Sequence, residues 1–242
     1  MTENPHRLRA IGLISSCVTQ LEEKILSGDY AAGQLLPPER QLAQQLGVSR
    51  PVIHQSLVDL AAKGLVIIHP RHGVTVCDYR KSGSTAILSA LLHYQQGRFP
   101  PEFTSSLFAM RLLIEKETAS LAALNADADQ IDQLQNLVNQ EKACAVTEIQ
   151  HLTALDFEFH LMVSIASGNL VYPLILNSFK NVYTHFSHAF YQTIQTINIH
   201  AQVFEYQDQL VQAIKRHQPV EASQYMGMML QHGERVLKGD LL

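Results

Sequence analysis

Two sets of side chains in this 242-residue sequence are spaced for chemistry. The first is Ser49, Arg50, His54 and Gln55, followed by Arg71, His72 and Gly73. Their donors and acceptors can reach base edges and phosphate oxygens, and an arginine set bidentate on guanine supplies about 1–3 kcal/mol of discrimination. Taken singly, such groups are ordinary solvated charges; presented together on one face, they read a duplex. The second set lies downstream, where Arg111 and Glu115 are one helical turn apart and Asp156 and His160 repeat that spacing. An arginine on an otherwise apolar helix must be paired or face a polar cavity, because an unpaired buried guanidinium is expensive. Arg111 can therefore meet an anionic ligand or close on Glu115. Asp156 and His160 flank the apolar stripe Leu152, Leu155, Phe159 and Met162, so both can point into one cavity. No nucleophile or further general base accompanies them, so no enzymatic reaction is expected.

The first set needs a helix that projects its N-terminal residues, and the surrounding sequence supplies one. Apolar residues at Ile14, Val18, Leu21 and Ile25 predict a helix that Ser27-Gly28-Asp29 ends. Ala31 to Pro38, with Gly33 and Pro37-Pro38, reads as an extended or turning link. A short helix follows over Glu39 to Leu46, with Gly47 as its C-cap, and Ser49 is an N-cap ahead of Pro51 in the first helical turn. The pattern of Val52, Ile53, Ser56, Leu57, Leu60 and Ala61 carries that next helix to Lys63-Gly64. This is a helix-turn-helix. From Leu65 to Val76 the period changes to two β-rich runs around a turn of proline, glycine and basic residues, a hairpin wing.

At about 150 residues per domain, the length gives about 1.6 domains. The net charge of -4 belongs entirely to residues 79–242, because residues 1–78 hold seven basic and seven acidic residues. A neutral head can present a local cationic face. Residues 79–84 form a polar, glycine-containing linker, and beyond it strand signals vanish. Helical periods cover about 86–96, 102–125, 127–145, 147–167, 170–193, 199–217 and 219–238, a bundle of about seven helices over residues 85–242. The expected class is mainly α, with a winged helix over residues 1–78. Cys17, Cys77 and Cys144 share no metal or disulfide spacing, and no apolar run approaches the roughly 18–20 residues of a bilayer span, so a cytoplasmic protein without membrane contact is expected.

The run Leu36-Pro37-Pro38-Glu39-Arg40 with Leu42-Ala43, then Leu46-Gly47-Val48-Ser49-Arg50, Leu57-Val58-Asp59-Leu60, Gly64-Leu65-Val66 and Arg71-His72-Gly73 resembles the winged helix of GntR-family bacterial transcription regulators. The resemblance implies that Arg40 also contacts DNA. Most relatives carry arginine and then glutamate where this chain has His54 and Gln55, which implies a different operator and salt dependence. Phe159-His160, Ala166-Ser167-Gly168-Asn169, Tyr172, Lys180 and Tyr183-Thr184 resemble the effector domain of the fatty-acid-responsive, FadR-type members and, more loosely, the organic-acid sensors that share its bundle. Arg111 and Glu115 match residues those relatives place on an early helix. Tyr183 offers a ring and hydroxyl to the same cavity or is plain core, and Asn169 either meets the effector or caps the helix after it.

In metal-containing relatives, Asp156 and His160 correspond to two ligands joined by two later histidines. Here those places hold Gln207 and Met229, with His232 one turn beyond, so a divalent metal has half a site and no cofactor is required by the motif. Gln231 and Glu234 stand where the fatty-acid-responsive members offer small residues to coenzyme A, and a glutamate repels its phosphates. Together these features imply a ligand-responsive repressor that binds a palindromic double-stranded operator as a homodimer. A fatty acid, acyl-CoA or other organic acid is the expected effector, with a metal-dependent organic-acid sensor as the alternative. Two half-sites double the few bases that one winged helix can touch.

Overall fold

The computed structural model describes residues 5–96, 99–197 and 200–239. The chain divides into two compact units, Met1–Arg98 and Phe99–Leu242. In the first, α1 (Pro5–Leu26) turns Cys17, Val18, Leu21 and Ile25 into a core shared with Leu42 of α2 (Glu39–Leu46) and with Ile53, Leu57 and Leu60 of α3 (Arg50–Ala62). Gly47 ends α2 in the left-handed conformation, φ 65°, which frees the chain to turn into α3. The hairpin of β1 (Val66–His69) and β2 (Gly73–Val76) is antiparallel, with Val66 opposite Val76 and His69 opposite Gly73.

Two features of this unit differ from the sequence expectation. The segment before Pro37 is more than a link. The Leu36 N–H donates to the Val74 carbonyl at 2.8 Å, the Val76 N–H to that of Gln34 at 2.9 Å, and Leu35 bridges Thr75. Backbone groups left open along β2 are thereby paired, although the segment is too short to show a strand period. Next, the linker residues form a helical turn, α4 (Tyr79–Ser82), and α5 (Ile87–Tyr94), read as the first bundle helix, places Ile87 and Ala90 in the winged-helix core. Ser82 Oγ donates to the Gly64 carbonyl at 2.9 Å, and the Ser84 N–H to that of Lys63 at 3.1 Å.

The regular structure described in the second unit is all helical: α6 (Pro101–Asn125), α7 (Ala128–Ala143), α8 (Ile149–Ala166), α9 (Tyr172–Ser178), α10 (Lys180–Ile197), α11 (His200–Lys215) and α12 (Pro219–Lys238). The continuous helix expected over 170–193 is broken at Phe179, whose φ of -117° is not helical. Asp127 and Gln130 start α7 with a reciprocal capping box. The main core joins Ala119, Ala122 and Ala123 of α6 to Phe159 and Val163 of α8, Leu210 and Ile214 of α11, and Ala222 and Met226 of α12. Small residues bring α6 and α12 close: a Cβ on Gly227 would lie 3.3 Å from Lys116 Cδ. Among the described residues, no helix is long and apolar enough to cross a membrane.

Candidate functional site

On the winged helix, the face of α3 opposite the core carries Arg50, Pro51, His54 and Gln55, all exposed. Arg50 and His54 are one turn apart, and both are held by Glu39 in the first turn of α2. Arg50 Nε donates to Glu39 Oε2 at 3.0 Å, and His54 Nδ1 lies 2.8 Å from Oε1. The hydrogen bond from His54, and then that from Arg50, hold the Glu39 carboxyl below its ordinary range despite partial burial. Ser49 sits at the N-cap position with extended backbone, but its side chain makes no capping hydrogen bond. Gln55 Nε2 donates to Asp59 Oδ1 at 3.0 Å along the helix. Arg40 is exposed on α2, and Arg71, His72 and Gly73 are exposed at the tip of the wing. There Arg71 adopts φ 68° and Gly73 φ 97°, and the His72 N–H closes the turn on the His69 carbonyl at 3.0 Å.

In the bundle, Arg111, Glu115, Asp156, His160 and Tyr183 come together, while Asn169 does not join them. Its Oδ1 accepts from the N–H of Val171 at 2.9 Å and of Tyr172 at 3.4 Å, capping α9. Arg111 Nε donates to Glu115 Oε1 at 2.7 Å, so the i,i+4 pair forms. The guanidinium also lies over the Tyr183 ring, 4.0 Å from its centroid. Glu115 is 3% exposed, and its second oxygen meets His160 Nδ1. Burial alone would raise the Glu115 pKa, but the Arg111 charge, followed by that of His160, brings it down to about 2. Burial likewise pulls against the Arg111 cation, yet the Glu115 carboxylate outweighs it and raises the pKa. Asp156 accepts from Ser187 Oγ at 2.7 Å.

Arg111, Asp156, His160 and Ser187 form the polar end of a cavity of about 50 Å³, walled by Phe108, Phe186, Phe190, Met229 and Leu230. Arg111 engages Glu115 through Nε, which leaves the Nη edge as the part of the guanidinium able to meet a ligand. Glu234, which stands where a coenzyme would need a small residue, pairs with Lys238 at 2.7 Å.

The donor set does not fit a divalent metal. Asp156 Oδ1 is 3.8 Å from His160 Nε2, so the two do face each other. However, the described residues contain no group of three or more His, Cys, Asp or Glu able to hold an ion. Gln207 gives its amide to Glu141 at 2.9 Å, Met229 offers a thioether, and neither replaces a histidine ligand. In the structure Asp156 and His160 instead belong to an internal polar network with Ser187 and Glu115.

Sequence reasoning missed Glu141. It is fully buried on α7, with Tyr191 donating to Oε2 at 3.4 Å beside Gln207, and its Oε1 has no hydrogen-bond partner among the described residues. Burial, followed by the nearby Asp156 charge, pushes its pKa up to about 8. The signal was present, because Glu141 continues the stripe Leu134, Val138 at the next inward position.

Comparison with known proteins assigns both units. Residues 13–76 match the bacterial regulatory proteins of the gntR family, and residues 106–232 match the FCD domain. The transcriptional regulator Mce2R of Mycobacterium tuberculosis is 30% identical over 164 residues, covering 68% of this chain and 67% of its own. The fatty acid metabolism regulator protein of Proteus mirabilis is 25% identical, covering 72% of this chain and 70% of its own. Among solved structures, a GntR protein of Streptococcus agalactiae aligns with a TM-score of 0.50 at 26% identity, over 92% of this chain and 99% of its own. A Listeria monocytogenes protein described as controlling the agr system reaches 0.63 at 16% identity, over 93% and 96%, a likeness of fold.

Proposed function

The chain belongs to the GntR family of bacterial regulatory proteins, with an FCD domain behind its winged helix, and from that premise we propose that it is an operator-binding repressor released by a small organic acid. As a transcription regulator it is not an enzyme; its winged helix is a DNA-binding domain and its FCD domain binds a small-molecule effector. The finer reading is that two copies bind an inverted repeat. The DNA-contacting groups lie within residues 1–78, the effector-contacting groups within residues 85–242, and residues 79–84 join them. Ser49, Arg50, His54 and Gln55 enter the major groove, while Arg40, Arg71, His72 and Gly73 grip the backbone and wing-side groove.

The observation that carries the effector reading is Arg111, part-buried at the polar end of an otherwise apolar cavity. A carboxylate there meets the guanidinium edge that Glu115 leaves open, with Tyr183 covering its face. The relatives named as fatty acid regulators bring a fatty acid or acyl-CoA into consideration. At about 50 Å³, against the roughly 300–1,000 Å³ of a drug-sized site, the cavity supports a short acid over a long acyl chain.

One titration tests both halves. Full-length protein should protect an inverted repeat, and Arg50→Ala should abolish protection with no loss of folding, since the Arg50 side chain is 72% exposed. Short carboxylates should raise the melting temperature and release that DNA, whereas Arg111→Lys, which keeps a charge beside Glu115 but loses the planar edge, should respond at least tenfold more weakly. Equal affinity for scrambled duplex would overturn the operator reading. An unchanged ligand response in Arg111→Lys would overturn the effector assignment.

A further inference from the structure

Glu39 does more than neutralise its neighbours. An ionised carboxylate can only accept hydrogen bonds, so the imidazole nitrogen that faces it must carry the proton. His54 Nδ1 faces Glu39 Oε1 at 2.8 Å, and Glu39 is kept ionised by the same contact and by Arg50. In the neutral ring, the proton is thereby fixed on Nδ1, and Nε2 is left with a lone pair. The His54 side chain is 59% exposed on the outer face of α3, one turn beyond Arg50, whereas the Glu39 side chain is 23% exposed beneath them. One carboxylate thus turns the two neighbours into opposite probes. Arg50, bound through Nε, keeps its Nη groups as donors; His54 becomes an acceptor.

Major-groove edges are distinguished by this difference. Guanine shows two acceptors and thymine one, while adenine and cytosine each show an amino donor. We propose that Glu39 is a specificity-determining residue which, by fixing the proton of His54 on Nδ1, makes this position of the recognition helix select an adenine or cytosine amino group. An arginine at the same place would select guanine. The inference rests on the operator reading above, because it requires α3 to lie in the major groove.

The test is selection from a duplex pool with a randomised half-site by full-length protein, at about pH 8, above the ordinary imidazole range. Wild type should enrich adenine or cytosine at one base pair per half-site by about three- to tenfold, the factor that one neutral hydrogen bond supplies. His54→Ala should lose the preference at that pair alone, and His54→Arg should convert it to guanine. Glu39→Gln is the decisive variant. Its amide can donate to Nδ1, which lets the proton sit on Nε2, so the adenine or cytosine preference should vanish while binding persists. Guanine or thymine at the pair lost in His54→Ala, or a Glu39→Gln profile identical to wild type, overturns the inference and leaves the operator reading standing. Wild type that retains no duplex from the pool overturns both.

Discussion

Glu115 and Glu141 are both buried carboxylates of the bundle, and they respond to pH in opposite senses because only one has a cation beside it. Arg111 and His160 hold Glu115 near pKa 2, below its ordinary value, so its stabilising effect is complete above about pH 4.5 and is lost as the pH falls toward 2. Glu141 faces an amide and a phenol but no cation among the described residues, and its pKa is raised to about 8. The folded state then holds a proton that the unfolded state releases above about pH 4.5, so stability declines as pH rises through that window and levels off near 8. Glu141→Gln copies the neutral carboxyl and should remove this decline. Melting temperatures of wild type and variant should agree near pH 5 and separate by pH 8, with the variant higher. Curves that stay parallel would show Glu141 ionised in the folded protein at both ends. In the sequence Glu115 is picked out through Arg111 and Glu141 is passed over, although each occupies an inward position of a helix stripe, Glu115 seven residues after Phe108 and Glu141 three after Val138, where a charge has to find a partner.

Among the elements, those bounded by chemistry were readable and those bounded by packing were not. Gly47, Ser49, Pro51 and Gly64 mark the limits of α2 and α3, and the change from helical to alternating period marks the wing. The split of α9 from α10 falls at Phe179, a buried residue with no breaking chemistry of its own. The periodicity of α5 identified a helix but could not say which core its Ile87 would join. Gly64 illustrates the first kind of boundary. Its φ is 75°, and a Cβ there would lie 1.9 Å from the Ser82 carbonyl oxygen, so the chain crossing from α4 closes against a bare backbone. Gly12 is the opposite case, within α1 with open space around it. Gly64→Ala should lower the stability of the winged helix by more than about 2 kcal/mol, combining a disfavoured backbone with a steric clash. Gly12→Ala should raise it by up to about 1 kcal/mol, the helix propensity difference. Urea unfolding of the two variants checks both signs.

For the whole molecule, the two units have separate cores, and residues 79–96 of the first are more structured than their composition suggests. A fragment ending at residue 84 lacks Ile87 and Ala90, whereas one ending at residue 96 retains them. If α5 is part of the first folding unit, the longer fragment should melt cooperatively and at least several degrees higher; equal melting would assign α5 to the bundle. On the wing, Arg71 is a non-glycine residue at φ 68° between the strands of a two-stranded ribbon. That backbone state is uphill for an arginine by about 1–2 kcal/mol and is tolerated where the side chain serves a purpose. Variants chosen only for thermal resistance should therefore drift toward glycine at position 71, becoming hardier proteins that grip DNA less well. Some of the stability this head could have is thereby given up to the backbone of its wing.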